Sequence, residues 1–328
     1  MEGFVPRDAS LVCSRRFGDC KDFSSIITMM LRHAGLKAYY TWIGTRSIPY
    51  MYQEIPTPLV DNHMISTLEL DGKFIFLDGT DPTCVFGIPS DHIQGKEALI
   101  GLNEKNYKIV DVPIQPSASN LLNDTTFIQF TEKGIKGRIH QVLHGYYAMD
   151  LNARLLYMQG EDRDNHVREW LGRGSNKFRI LSYRITDSAA DGNQIGLTAE
   201  FEIPDYGKSV GNDKFINLNL QKLYEHQEID YPKRKIPVSN KFGYEIKLVS
   251  ILDIPAGFRT DYIPKAKSFD NETWGFTILY AEIPGKLILQ QHYWNPHLLL
   301  QPDRFESYNK VLEVLLPQYK ESVSITQQ

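Results

Sequence analysis

Between Cys20 and Ala34 the apolar residues Phe23, Ile26, Ile27, Met30 and Ala34 recur at three- and four-residue steps, one face of a helix. The spacing predicts an amphipathic helix from Asp19 or Cys20 to about His33, with Gly35 placed to end it in the left-handed conformation. "AYYTWIGT" then reads as a strand, and "RSIPYMYQEIPTPLVDN", with three prolines, reads as a long loop. "HMISTLEL" and "KFIFLD" are two further strands, separated by Asp71-Gly72, a strong signal for a two-residue hairpin turn.

The polar, proline-containing segment "DVPIQPSASN", 111–120, separates this mixed region from one dominated by short alternating runs. "TTFIQF", "FRILSYRI", "IGLTAEFEI", "YEIKLVSILDI", "GFTILYAEI" and "KLILQQHYW" read as strands, with turn signals such as "DGN" and "IPG" between them. Helical segments interrupt at about 146–171 and 302–316. The pattern predicts two domains, 1–112 and 120–328, the second a mainly antiparallel β sandwich or barrel-like domain, with a further subdivision near 232–240.

Composition narrows the function classes. The 328 residues carry a net charge of −4, which offers no electrostatic basis for binding nucleic acid or an anionic membrane. No apolar run reaches the ~20 residues of a membrane span, and "MEGFVPRDAS" has neither the basic start nor the apolar stretch of a signal peptide. Three cysteines, Cys13, Cys20 and Cys84, with no CxxC pair, exclude a disulfide scaffold and a zinc ribbon. "HQVLH", His140 to His144, has the spacing of a helical metal pair, but its flanks alternate as a strand and the glutamate of a zinc-protease motif is absent. The acidic groups of "QGEDRDNH" and "IPDYGKSVGND" lack calcium-loop spacing. No metal or other cofactor is expected.

Cys20 stands where a helix begins, between Asp19 and Lys21. Unpaired N–H groups there carry partial positive charge, and such a position draws a thiol from ~8.5 towards about 3.5–7.5. Gly18 permits a tight entry into the helix, and the Cys20 N–H is a candidate oxyanion donor. Asp19 and Asp22 oppose thiolate formation, so a neighbouring imidazole is needed. The hairpin supplies one. If Leu70 faces Lys73, counting back along both strands sets His63 opposite Thr80 and Asp78 opposite Ile65. His63 and Asp78 then share a face as diagonal neighbours, ~7–8 Å apart at the backbone and within side-chain reach. Asp78 is the expected orienting carboxylate and Asp81 the alternative, since "DGTD" is also good turn chemistry.

"GDCKDFSSIITMMLRHAGLKA" followed by "NHMISTLELDGKFIFLDGT" resembles the core of the transglutaminase-like superfamily. The resemblance implies an α+β, papain-like core over residues 1–112 with Cys20 as nucleophile, His63 as base and Asp78 as orienting residue. The rest of the chain, including "IPAGFRTDYIP" and "LILQQHYWNPHLLLQPDRFESYNKVLEVLLP", resembles the β-rich domain that follows such cores in Bacteroidetes envelope proteins. Family members carry a β-rich domain and a helix upstream of the cysteine, where the second oxyanion donor lies. Only 19 residues precede Cys20 here, so a core truncated at its N-terminus is expected. The resemblance also implies a periplasmic or extracellular protein whose signal lies outside these residues.

Two function classes follow. One is acyl transfer on a peptide or protein amide through a thioester, with water (protease or amidase) or an amine (transglutaminase) as acceptor. The other is a catalytically silent binding or scaffolding protein of the envelope. Cys13 and Cys84 are expected to be passive thiols; Tyr39, Tyr40 and Trp42 read as strand core, and Tyr50 and Tyr52 as aromatic residues of a loop bordering the cleft.

Overall fold

Asp71 (φ 51°) and Gly72 (φ 74°) both adopt left-handed conformations, the backbone that closes a two-residue hairpin. The computed structural model describes residues 5–186 and 192–328; the expected Asp-Gly-Asn turn begins at Asp191, outside the described residues. The chain divides into two compact units, Met1–Gln115 and Pro116–Gln328.

In the first unit, helices α1 (Ala9–Arg15) and α2 (Cys20–His33) precede strands β1 (Lys37–Ile43), β2 (His63–Leu70), β3 (Lys73–Leu77), β4 (Glu97–Gly101) and β5 (Tyr107–Asp111). The strands form one antiparallel sheet in the order β3-β2-β1-β4-β5. The hairpin register runs from Leu70↔Lys73 to Ser66↔Leu77, the pairing that the two-residue turn requires. Ile43, Ile65, Phe76, Ile93, Ala98, Ile100 and Val112 form the apolar core of this unit.

α2 lies on β1 and β2, but not through the apolar stripe. Met30 is exposed, Phe23, Ile26 and Ile27 are only partly covered, and the buried positions are Asp22, Ser24, Ser25 and Thr28. Each is satisfied by a hydrogen bond. Ser24 Oγ donates to Ile65 O (2.7 Å), Thr28 Oγ1 to Ser66 Oγ (2.8 Å), and Ser25 Oγ lies 3.4 Å from Tyr40 OH. Small hydroxyl side chains let the helix approach the strands closely, and their mutual bonds offset the desolvation of burying them. Apolar periodicity located the helix correctly but named the wrong face.

The second unit is built on an eight-stranded sheet. Its spatial order is Lys267–Asp270, Gly275–Ile283, Lys286–Asn295, Tyr244–Asp253, Leu121–Thr131, Gly134–His144, Gln194–Pro204 and Arg179–Thr186. His140 and His144 lie on a strand of that sheet. Helices Tyr146–Leu156, Gly160–Leu171 and Phe305–Leu315 accompany it; Gly160 (φ 54°) opens the second, so the segment expected as one helix over 146–171 is two. At the buried centre Arg173 Nη1 holds Asp124 Oδ1 at 2.8 Å.

The papain-like α+β core expected for the first third is not what forms. Among the described residues the chain is mostly β-sheet, 39% strand against 23% helix, with five helices spread over several sheets. Alternating runs dominate both units and pair into sheets by hairpins and by longer-range contacts such as β1 with β4, leaving α2 as the one long helix of the first unit. The large sheet of the second unit is mainly antiparallel, with one parallel pairing, Leu121–Thr131 with Tyr244–Asp253, at its middle. No helix of the described residues is long and apolar enough to cross a membrane.

Candidate active site

Asp19 caps α2 and makes Cys20 its first residue. The Asp19 carboxylate accepts from the N–H of Lys21 (3.0 Å) and of Asp22 (3.4 Å), while Asp22 Oδ2 accepts from the Asp19 N–H (3.0 Å), a reciprocal capping box. Asp22 is buried and is held further by Arg7, whose N–H and Nη1 both donate to it at 2.8 Å. These bonds anchor the turn that presents Cys20. Gly18 is needed there for space: a Cβ would lie 2.7 Å from Asp22 Cβ and 3.0 Å from Val12 Cγ1. The helix supplying Val12, α1, carried no signal that sequence reasoning used.

His63 opens β2 and lies between two partners. Its Nε2 donates to Asp78 Oδ2 at 2.9 Å, and the ring also interacts with Cys20, which lines the same cavity. The structure thus brings Cys20, His63 and Asp78 together. Asp81 is not part of this group; its Oδ1 accepts from Thr83 N–H (3.0 Å) and Thr83 Oγ1 (2.9 Å) in a local turn.

The Asp78 carboxylate is buried, its side chain only 1% exposed, and nearly saturated. Thr80 N–H and Oγ1 donate to Oδ1 at 3.0 and 2.6 Å, and Ser90 Oγ donates to Oδ2 at 2.9 Å. His92 Nε2 lies 3.3 Å from the same Oδ2, with its Nδ1 3.4 Å from Asp91 Oδ1, and the two imidazoles meet edge-on at 5.4 Å. Sequence reasoning missed Ser90 and His92. Both lie in the loop beyond β3, where no periodicity or turn register gives their position.

The electrostatics follow from these contacts. Hydrogen bonding with His63 draws the Cys20 thiol below its ordinary range; the Met64 N–H assists, whereas partial burial and the Asp19 charge oppose. Burial alone would lower the His63 pKa, but its bonds with Asp78 and Cys20 outweigh that and raise it to about 9. His92 is likewise raised to about 9, by Asp78 first and then Asp91. Burial works against the charged form of Asp78, yet His63, His92 and Thr80 hold the carboxyl well below its usual range. All three cysteines are free. Cys13 is exposed, and burial pushes the Cys84 thiol, which donates to Ile88 O at 3.2 Å, up to about 12. Neither has the surroundings of a nucleophile.

Ligand atoms of His63, Asp78 and His92 lie within 4.8 Å of one another, the group among the described residues that meets the geometry of a metal site. The space between them is already spanned by the imidazole N–H groups and the Ser90 hydroxyl on Asp78 Oδ2. The donor set therefore reads as a hydrogen-bonded carboxylate.

Cys20 and His63 open onto a cavity of about 240 Å³ whose other walls are Lys21, Trp42, Asp61, Asn62 and Met64. Trp42, expected in the strand core, is half-buried and forms one wall; Tyr52 is buried and touches the site through Asp61.

No family model and no curated protein matches this chain. It is similar to a crystal structure described as a "putative protease" from Parabacteroides distasonis, with a TM-score of 0.54 and 8% identity over 99% of this chain and 47% of that one. The chain spans about half the length of that neighbour, and at this identity the likeness is one of fold.

Proposed function

We propose that the first unit carries out cysteine-dependent acyl transfer on amide bonds, as the resemblance of its motifs to transglutaminase-like enzymes implies. The observation that carries the reading is the position of His63, with one ring nitrogen 2.9 Å from a buried carboxylate and the ring lining the same cavity as a helix-opening cysteine whose thiol it lowers. Cys20 and His63 rest as thiolate and imidazolium. The sulfur attacks the amide carbonyl carbon, a C–S bond forms, and the negative charge gathers on the carbonyl oxygen near the Cys20 N–H at the start of α2. Collapse breaks the C–N bond as the His63 imidazolium gives its proton to the leaving amine. His63, now neutral, takes a proton from water as the water attacks the thioester, and Cys20 leaves as thiolate. Asp78 keeps the ring oriented and stabilises its cationic form.

A protease-like neighbour in fold favours water over an amine as acceptor, which makes hydrolysis of a peptide or peptide-like amide the preferred reaction. The test is the rate of Cys20 alkylation by iodoacetamide against pH. Enhanced alkylation well below pH 8 that disappears in His63→Ala supports the reading. An ordinary thiol profile, unchanged by His63→Ala, rejects it in favour of a silent binding protein.

A further inference from the structure

Three sets of charged groups stand at or beside the Cys20 cavity, and in two of them every anion has a cationic partner. The His63 imidazolium faces the Cys20 thiolate and the Asp78 carboxylate, His92 Nε2 lies 3.3 Å from that same carboxylate, and Lys21 Nζ lies 2.6 Å from Asp19 Oδ2. Asp61 is different. Its Oδ2 accepts a 2.7 Å hydrogen bond from the buried Tyr52 hydroxyl, a neutral partner, and no cation among the described residues pairs with it. Burial pushes its carboxyl up, as expected for an anion without a counter-charge. Asn62 does not fill that role: its amide is engaged with Thr45, accepting from the N–H at 2.8 Å and donating to Oγ1 at 3.1 Å.

Trp42 stands directly across the β1–β2 ladder from Met64, and both line the same cavity as Asp61. An aromatic ring and a carboxylate lining one small pocket are the elements that recognise an organic ammonium, by cation–π attraction and an ion pair. We infer that the Trp42–Asp61 pocket binds a protonated amine, so that the amide cleaved at Cys20 belongs to a substrate carrying a free alkylammonium group, either a chain-terminal α-amine or an amine-bearing side chain, close to the scissile bond. This rests on the proposed acyl transfer and names its substrate class. Tyr52 is a positioning residue here, fixing one carboxylate oxygen and leaving the other for the ligand.

The test needs no identified substrate. Cys20 of the full chain is modified with three methanethiosulfonates, one bearing an ammonium, one neutral and one bearing a sulfonate, and the rate is read at Cys20 by peptide mass spectrometry so that exposed Cys13 does not contribute. The ammonium reagent is expected to react faster than the sulfonate, and the ratio to fall about tenfold in Asp61→Asn, since one carboxylate is removed from a partly shielded pocket. The neutral reagent should change less than about twofold, because the nucleophile and base are untouched. As a second measurement on the unmutated protein, n-butylammonium should slow the neutral reagent and n-butanol at equal concentration should not. A charge ratio that survives Asp61→Asn, or equal protection by amine and alcohol, overturns the inference. If instead Cys20 shows an ordinary thiol pH profile towards the neutral reagent, the acyl-transfer reading is what fails.

Discussion

His63 and Asp78 are 15 residues apart in the chain, and Nε2 of one lies 2.9 Å from Oδ2 of the other. The pair closes at the open end of the β2–β3 hairpin, just beyond the last ladder pair, Ser66↔Leu77. Its carboxylate keeps the His63 pKa near 9 although the ring is mostly buried. Asp78→Asn removes the charge and keeps the shape, so the His63 pKa should drop and the Cys20 thiol should rise. Iodoacetamide alkylation of Cys20 at pH 7 is expected to slow by about tenfold or more, tenfold for each pKa unit. Asp81→Asn serves as the contrast and should stay within about twofold, because Asp81 bonds to Thr83 and not to His63.

Cys20 is only partly buried, whereas Asp22, two residues on, is buried and secures both the cap and Arg7. Cys20→Ala should therefore cost about 1 kcal/mol or less in urea unfolding. Asp22→Ala should cost about 3 kcal/mol, since it removes a helix cap and strands buried donors. A reversed order of the two would mean that Cys20 is a packing residue.

Gly79 follows Asp78 and faces α2: a Cβ there would lie 2.7 Å from Ile27 Cδ1 and 2.9 Å from Phe23 Cβ. Gly79→Ala must push the segment carrying Asp78 away from the helix carrying Cys20. Expected are a loss of about 1–3 kcal/mol from overpacking and slower Cys20 alkylation at neutral pH. Full stability together with full reactivity would show that the helix and this segment are not in close contact.

His63 and His92 both titrate near 9 in the folded protein, against about 6.5 when unfolded. A raised folded-state pKa means that the native state binds these protons more tightly. The stability they contribute is complete below about pH 6.5 and fades as the pH rises to about 9. The urea midpoint should fall across that window, and less steeply in His92→Gln, which removes one of the two groups. A midpoint that rises between pH 6.5 and 9, or an unchanged slope in the variant, would show that Asp78 does not hold two protonated imidazoles.

Local chemistry was enough for several parts of this protein. Asp71 and Gly72 both accept left-handed backbone, so the turn length, and with it the β2–β3 register and the shared side of His63 and Asp78, could be worked out by counting. The start of α2 at Cys20 and its end before Gly35 were equally legible, because capping residues act within one turn of their own position. Long-range packing decided the rest. Which face of α2 is buried depended on hydroxyl groups finding acceptors on β1 and β2, and apolar periodicity holds no record of those acceptors. The balance of sheet over helix was set when strands found partners across the chain, including the parallel pairing of Leu121–Thr131 with Tyr244–Asp253. Ser90, His92 and Asp61 joined the site for the same reason: each belongs to a segment whose course is directed by tertiary contacts and not by its own residue pattern.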